Sequence, residues 1–305
     1  MQQVQPILVP SNLGLKPLVR GHQPGAWRAS QALLDAGIFN GVASLPIAEL
    51  DRPAYDFRRQ PGTSIRNGNT LRTYSVDLAN VVSASLSNGS FPVVVGGDCS
   101  VLLGCLLGAR KQGLCGLVHV DGHSDFYHPG IYDPESTLGT AAGMDLALVT
   151  GRGEPLLTQW PGCAGPLVSD QAAIQVGDRD AGTDEDYLPS TIRRINIHEA
   201  LDLGASRVVR HALDHMKQRL MDRVWVHVDL DVLDESVMPA VDSPGSPGID
   251  FGYLTELIRG FTSDRAVIGL NITIYDPEED PTGEYGTRIA QAVSTALLEA
   301  QCVRS

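Results

Sequence analysis

Cysteine is scarce in this chain and poorly placed for cross-linking. The five present (Cys99, Cys105, Cys115, Cys163 and Cys302) are odd in number and lack CxxC spacing, so neither a disulfide framework nor a ribbon-type zinc site is expected. Basic residues are outnumbered, 23 against 36 acidic, for a formal net charge of −13. That balance argues against nucleic acid or an anionic membrane as the main partner and suits a protein that holds cations. No apolar run reaches the length of a membrane-spanning helix. The opening Met1-Gln2-Gln3-Val4-Gln5-Pro6 has no basic stretch followed by an apolar one, so no secretory leader is expected and the cytoplasm is the expected location.

What the chain does have is a core. At 305 residues with 43% hydrophobic it can form a large α/β domain, and no change of composition marks a linker, so residues 1–305 are read as one domain. Short buried-strand patterns at 6–9, 92–95, 114–121, 173–177, 224–229 and 266–274 alternate with helical ones at 26–36, 70–87, after Gly96-Gly97 (with Leu102, Leu103, Leu106 and Leu107 on its apolar side), 139–149, 205–220, 251–261 and 288–300. Residues 40–69, interrupted by Pro46, Pro53 and Pro61, read as irregular. Strands alternating with helices predict α/β architecture with a mainly parallel central sheet.

Two of these strands end alike. Val226-His227-Val228-Asp229-Leu230-Asp231 is echoed by Val118-His119-Val120-Asp121-Gly122-His123-Ser124-Asp125. Alternation along a strand puts Asp229 and Asp231 on one side, and gives Asp121, His123 and Asp125 one common parity. Ionised carboxylates gathered in a small buried space repel one another and cost several kcal/mol unless something positive lies between them. Four carboxylates and an imidazole at the carboxyl ends of parallel strands exceed the needs of one ion, and two divalent cations bridged by aspartates fit better. An Asp-rich loop after a strand is the plainer reading of either segment alone, but not of two that match.

These segments, with GGDCS at 96–100, DGHSD at 121–125 and DLD at 229–231, resemble the ureohydrolase family of arginase, agmatinase and formimidoylglutamase. The resemblance runs from residue 96 to the end of the chain. It implies a three-layer α/β/α fold and a dinuclear manganese centre, with Cys99, Asp121, His123, Asp125, Asp229 and Asp231 at the ligand positions. Asp121 and Asp229 would bridge the two ions. The implied reaction is hydrolysis of a C–N bond in a guanidino or amidino compound by water activated between two cations. Asp125 would carry the proton to the leaving nitrogen. By the same analogy the protein would self-associate as a trimer or hexamer.

The chain departs from the family pattern in three places. Cys99 stands where the family has a histidine ligand. A thiolate there would favour zinc, iron, cobalt or nickel over manganese, and the start of a helix beside it would favour the thiolate. The alternative is a small buried residue beside a depleted site. Ala142, in Ala142-Gly143-Met144, replaces the family's second histidine, and His128 in the intervening loop is the candidate substitute, against the plainer reading of a solvated loop residue. Ile274 stands where the family has a glutamate that pairs with the substrate guanidinium, a partner worth ~3–5 kcal/mol when buried. The expected substrate is therefore less basic than an ordinary guanidine, for example an N-hydroxyguanidine such as hydroxyarginine, or is oriented by Asp145 or Asp242.

Other residues have duller readings. Tyr127 and Tyr132 are expected to shape the pocket, and Asp98, Asp234 and Asp276 to serve turns. His119 and His227 are expected to be hydrogen-bonded core residues beside the ligands. Arg179-Asp180 resembles the family's segment after a strand, with Gly182 where an acid often meets the substrate's amino group. Two alternatives stand against the hydrolase reading: a catalytically silent structural or regulatory relative, and an amide or formamide hydrolase.

Overall fold

The computed structural model describes residues 2–127, 139–179 and 189–304. Its strands are β1 (Val4–Leu8), β2 (Ala48–Glu49), β3 (Phe91–Val95), β4 (Gly116–Val120), β5 (Ala173–Val176), β6 (Arg193–Ile195), β7 (Val224–Asp229) and β8 (Val267–Thr273). They form one sheet in the order β2-β1-β3-β8-β7-β4-β5-β6, and every pairing within it is parallel.

Helices cover both faces, which is why the central strands are buried throughout rather than alternately. One face packs Val118, Val120, Val226 and Val228 against α1 (Ala29–Asp35), α7 (Ala205–Gln218), α8 (Phe251–Ser263) and α9 (Glu284–Arg304). The other packs Leu117 and Trp225 against α2 (Gly68–Ser87), α3 (Val101–Arg110) and α4 (Asp145–Val149). The three-layer α/β/α arrangement is thus present.

Helix limits follow local chemistry. Helix α2 stops at Asn88-Gly89, where Gly89 turns the chain at φ +73°. Helix α8 starts at Asp250, whose carboxylate caps the Tyr253 N–H at 2.8 Å. Two strands and two short helices lay outside the sequence pattern: β2 inside the stretch read as irregular, β6, α5 (Pro155–Thr158) and α6 (Ile197–Leu203). β2 has two residues and β6 three, which is too short for a period to show.

The arrangement that positions the site is the pairing of β4 with β7. His119 lies opposite His227 and Val120 opposite Val228, so the two echoed segments are neighbours in register. Their carboxyl ends open side by side.

Candidate metal centre and pocket

Strand geometry delivers only the first carboxylate of each segment. β4 ends at Val120 and β7 at Asp229, which corrects the expectation that parity along a strand aligns the rest. Asp231 instead sits in the 3-10 turn Leu230–Val232, its N–H bound to Asp229 Oδ1 at 2.8 Å. His123 and Asp125 lie on a loop, with the His123 N–H on Asp121 Oδ1 at 2.6 Å and Asp125 at φ +42°. The turns nevertheless fold the side chains into one cage. Asp231 accepts the Gly122 N–H at 3.0 Å and meets His123 Nδ1 at 2.8 Å. The Cys99 thiol, just before α3, donates to Asp229 Oδ2.

Side chains outside the cage hold these turns. Gln175 on β5 donates from Nε2 to the carbonyls of Asp121 and His123 at 3.0 and 3.1 Å. Arg179 donates to the carbonyls of Asp231 and Pro247 at 2.6 and 2.9 Å. Its guanidinium lies over Gly122, where an added Cβ would come within 2.6 Å of it. Sequence reasoning missed Gln175 altogether, since a glutamine inside a strand pattern carries no signal of its own. Asp98 serves the backbone as expected, accepting the Ser100 N–H at 3.0 Å and the Ser11 hydroxyl at 3.2 Å.

The electrostatics call for counter-charge. Asp121, Asp125, Asp229 and Asp231 are all at most 7% exposed. Burial first, and then the neighbouring carboxylates, push Asp121, Asp125 and Asp229 far above the ordinary carboxylate range. Burial also acts on Asp231, but His123 facing it and Arg179 behind it outweigh that and hold it low. Burial and Asp229 drive the Cys99 thiol up, so among protein groups alone the helix start does not make it a thiolate. Asp121 Oδ2 is buried and finds no hydrogen-bond partner among the described residues. An unpartnered carboxylate oxygen inside a set of oxygen, nitrogen and sulfur donors fits divalent cations. Ligand atoms of Cys99, Asp121, His227 and Asp229 lie within 4.8 Å of one another, as do those of Asp121, His123 and Asp231.

Beneath the cage lies a polar floor. His119 and His227 are fully buried and stack at 4.6 Å between ring centroids. His119 Nε2 meets Asp145 Oδ1 at 3.0 Å. Burial lowers each imidazole to about 3 and raises Asp145 to about 8. Asp145 is therefore not a substrate contact: it is wholly buried and engaged with His119, a correction of the sequence expectation.

Above the cage a cavity of roughly 210 Å³ opens between Cys99, His123, Asp125, Asp229 and Asp231 and the outer residues Leu15, Lys16, Tyr127, Ala142, Asp242 and Ile274. Tyr127 and Asp242, expected as substrate contacts, are among the residues lining this cavity. Burial, together with Asp231 and Asp276, raises Asp242 to about 6, against the pull of Lys16. Ile274 is 3% exposed and held at φ +74° with its N–H on Gly97 O at 2.9 Å. A β-branched residue in left-handed backbone is a strained choice. Leu15 and Lys16 were not anticipated, because the residues after the first strand carry no recognisable pattern. His128 and Tyr132 lie outside the described residues, as does Gly182.

An α/β/α sheet with a carboxylate, imidazole and thiol cage at its carboxyl edge defines a metallohydrolase. A model of the arginase family matches residues 20–303. The arginase of Bacillus caldovelox is 30% identical over 213 residues, 69% of this chain and 68% of the relative. Human arginase-1 is 26% identical over 256 residues, 81% of this chain and 76% of the relative. The solved Bacillus caldovelox arginase aligns with a TM-score of 0.83 at 25% identity, over 98% of each chain. The chain belongs to the arginase family, whose members are metal-dependent hydrolases of C–N bonds in amidines. The family uses a centre of two divalent cations, and among the described residues no helix is long and apolar enough to cross a membrane.

Proposed function

We propose that this chain hydrolyses the C–N bond of an amidino or guanidino compound whose reacting end is weakly basic or neutral, an N-hydroxyguanidine being the leading example. The observation that carries this reading is Ile274, a buried hydrocarbon in the pocket wall where the resemblance places a carboxylate. A cationic guanidinium desolvated against that wall would lose a partner worth ~3–5 kcal/mol. A neutral group would not.

Cys99, Asp121, His123, Asp125, Asp229 and Asp231 would hold the two cations. Manganese is the family's metal, and the Cys99 sulfur biases the site toward zinc, cobalt, nickel or iron. When bound, the pair supplies Lewis acidity that brings water into a reactive range near neutral pH. The protein's own groups do the rest. Asp125, at the cage and in the cavity lining, accepts a proton from the attacking water and returns it to the departing nitrogen. Tyr127 and Asp242 orient the substrate, and Lys16, a basic side chain in the lining, suits an anionic end of it. His128 remains a candidate proton carrier. Residues 1–305 act as one domain, self-associated as a trimer or hexamer in the cytoplasm.

A second reading, hydrolysis of an amide or formamide, draws on the apolar wall of Leu15, Ala142 and Ile274. The test is product release from cationic guanidines, N-hydroxyguanidines and neutral amides, each with manganese, cobalt, nickel and zinc. Fastest turnover of an ordinary cationic guanidine would sink the substrate reading. Ammonia or formate from amides alone would favour the second.

A further inference from the structure

Spacing alone would admit His227 as a ligand, since its ring nitrogen lies within 4.8 Å of the donor atoms of Cys99, Asp121 and Asp229. The direction of the hydrogen bonds says otherwise. An indole N–H can only donate, and Trp225 Nε1 lies 2.7 Å from Asn271 Oδ1, which fixes that amide's orientation. The other end, Asn271 Nδ2, lies 2.6 Å from His227 Nδ1. An amide nitrogen cannot accept, so Nδ1 must be the acceptor and the proton of the neutral ring sits on Nε2. A nitrogen that carries a proton has no lone pair for a cation.

We propose that Trp225 and Asn271 lock His227 in the Nε2–H form, making it a positioning residue that presents an N–H to the cage and stays out of the ligand set. Nε2 faces Asp145 Oδ2 at 3.7 Å and Asp121 Oδ2 at 3.9 Å, two buried oxygens without other partners among the described residues. His119 Nε2 lies 3.0 Å from Asp145 Oδ1 and 3.7 Å from Asp121 Oδ2, where either His119 or a protonated Asp145 can be the donor. The His227 N–H therefore offers a dipole that favours the carboxylates above it and repels a cation from below. This keeps the ions on the pocket side. The register makes it so: Asn271 lies opposite His227 on β8, and His119 opposite it on β4.

The inference rests on the cage being a cation site, but its first test needs no turnover. Full-length protein labelled with 15N-histidine, metal-stripped and then zinc-loaded, would report which nitrogen of His227 is protonated. A protonated Nε2 and an unprotonated Nδ1 in both states are expected. A protonated Nδ1, or an Nε2 shifted by coordination in the zinc form, would overturn the lock. The second test is Asn271→Asp, whose carboxylate can accept from Nδ1–H and so frees the Nε2 lone pair toward the cage. Zinc affinity should then tighten by roughly tenfold, within the range of changes to groups behind metal ligands, and the cobalt-loaded variant should change its visible absorption. A folded variant with unchanged protonation and unchanged affinity would overturn the proposal. If the variant fails to fold, the spectrum of the unsubstituted protein still decides. Absence of turnover with the 15N pattern intact would sink the hydrolase reading and leave the lock standing.

Discussion

The cage has two sides, and they depart from expectation in opposite directions. On the pocket side, polar positions of the family pattern are occupied by Ala142 and Ile274, with Leu15 beside them in the lining. On the sheet side, where a parallel core is ordinarily apolar, His119, His227, Asp145 and Asn271 form a fully buried polar group. The difference separates two tasks. The cage keeps its acidic donors with Cys99 at one ligand position, whereas the pocket wall is apolar at Leu15, Ala142 and Ile274.

The strongest way to break this comparison is to remove the part both sides share. Asp121→Ala or Asp229→Ala should weaken divalent-metal binding by more than about a hundredfold, beyond the 10–100-fold typical of groups behind ligands, as read by calorimetric titration. Near-normal affinity would mean that the cage is not the metal site. Next comes the pocket side. Ile274→Glu should shift kcat/KM toward cationic guanidines by roughly tenfold to a hundredfold, about 1.4–2.8 kcal/mol, measured across a substrate panel. No change in the ratio would show that this wall does not choose the substrate. Cys99→His should raise manganese occupancy several-fold relative to zinc, since nitrogen replaces the softer sulfur. Elemental analysis after dialysis against both metals is the check, and an unaltered ratio would place Cys99 outside the ligand set.

The smallest effect concerns pH. Asp145 moves from an ordinary 3.8 to about 8 in the folded protein, so its contribution to stability is full below 3.8 and lost as pH rises toward 8. The histidines act in the opposite sense, from 6.5 down to about 3, with their contribution lost as pH falls through that interval. Between about 6.5 and 8 the loss from the carboxylates outweighs the remaining gain from the histidines, whose unfolded forms are by then mostly neutral. Metal-stripped protein should therefore melt at lower temperature at pH 8 than at pH 6.5, and metal loading should reduce or abolish the drop. A melting temperature that rises over this interval would contradict the burial of these acids.

The sheet and the cage were legible because both rest on short-range rules. Strand–helix alternation foretold the parallel sheet, the family resemblance its three layers, and the repeated Val-His-Val-Asp two strands bearing acids. What could not be read is whatever depends on a partner distant in sequence. Asp145 looked like a substrate contact because nothing local reveals that His119 covers it. Gln175 and Arg179 act through backbone carbonyls of other segments, and Ile274 owes its unusual backbone to a bond with Gly97. Parity along a strand also overreached, because the chain had already entered its turns when it placed Asp125 and Asp231.

The side-by-side placement of β4 and β7 has a consequence for how the protein comes together. His123 and Asp231 are separated by 108 positions along the chain, so no fragment ending before β7 can offer a complete cage. Ion uptake must wait until the middle of the sheet has closed. Once seated, the ions become rivets between two neighbouring strands, and the amides of β4 and β7 should be the last to exchange with deuterated solvent.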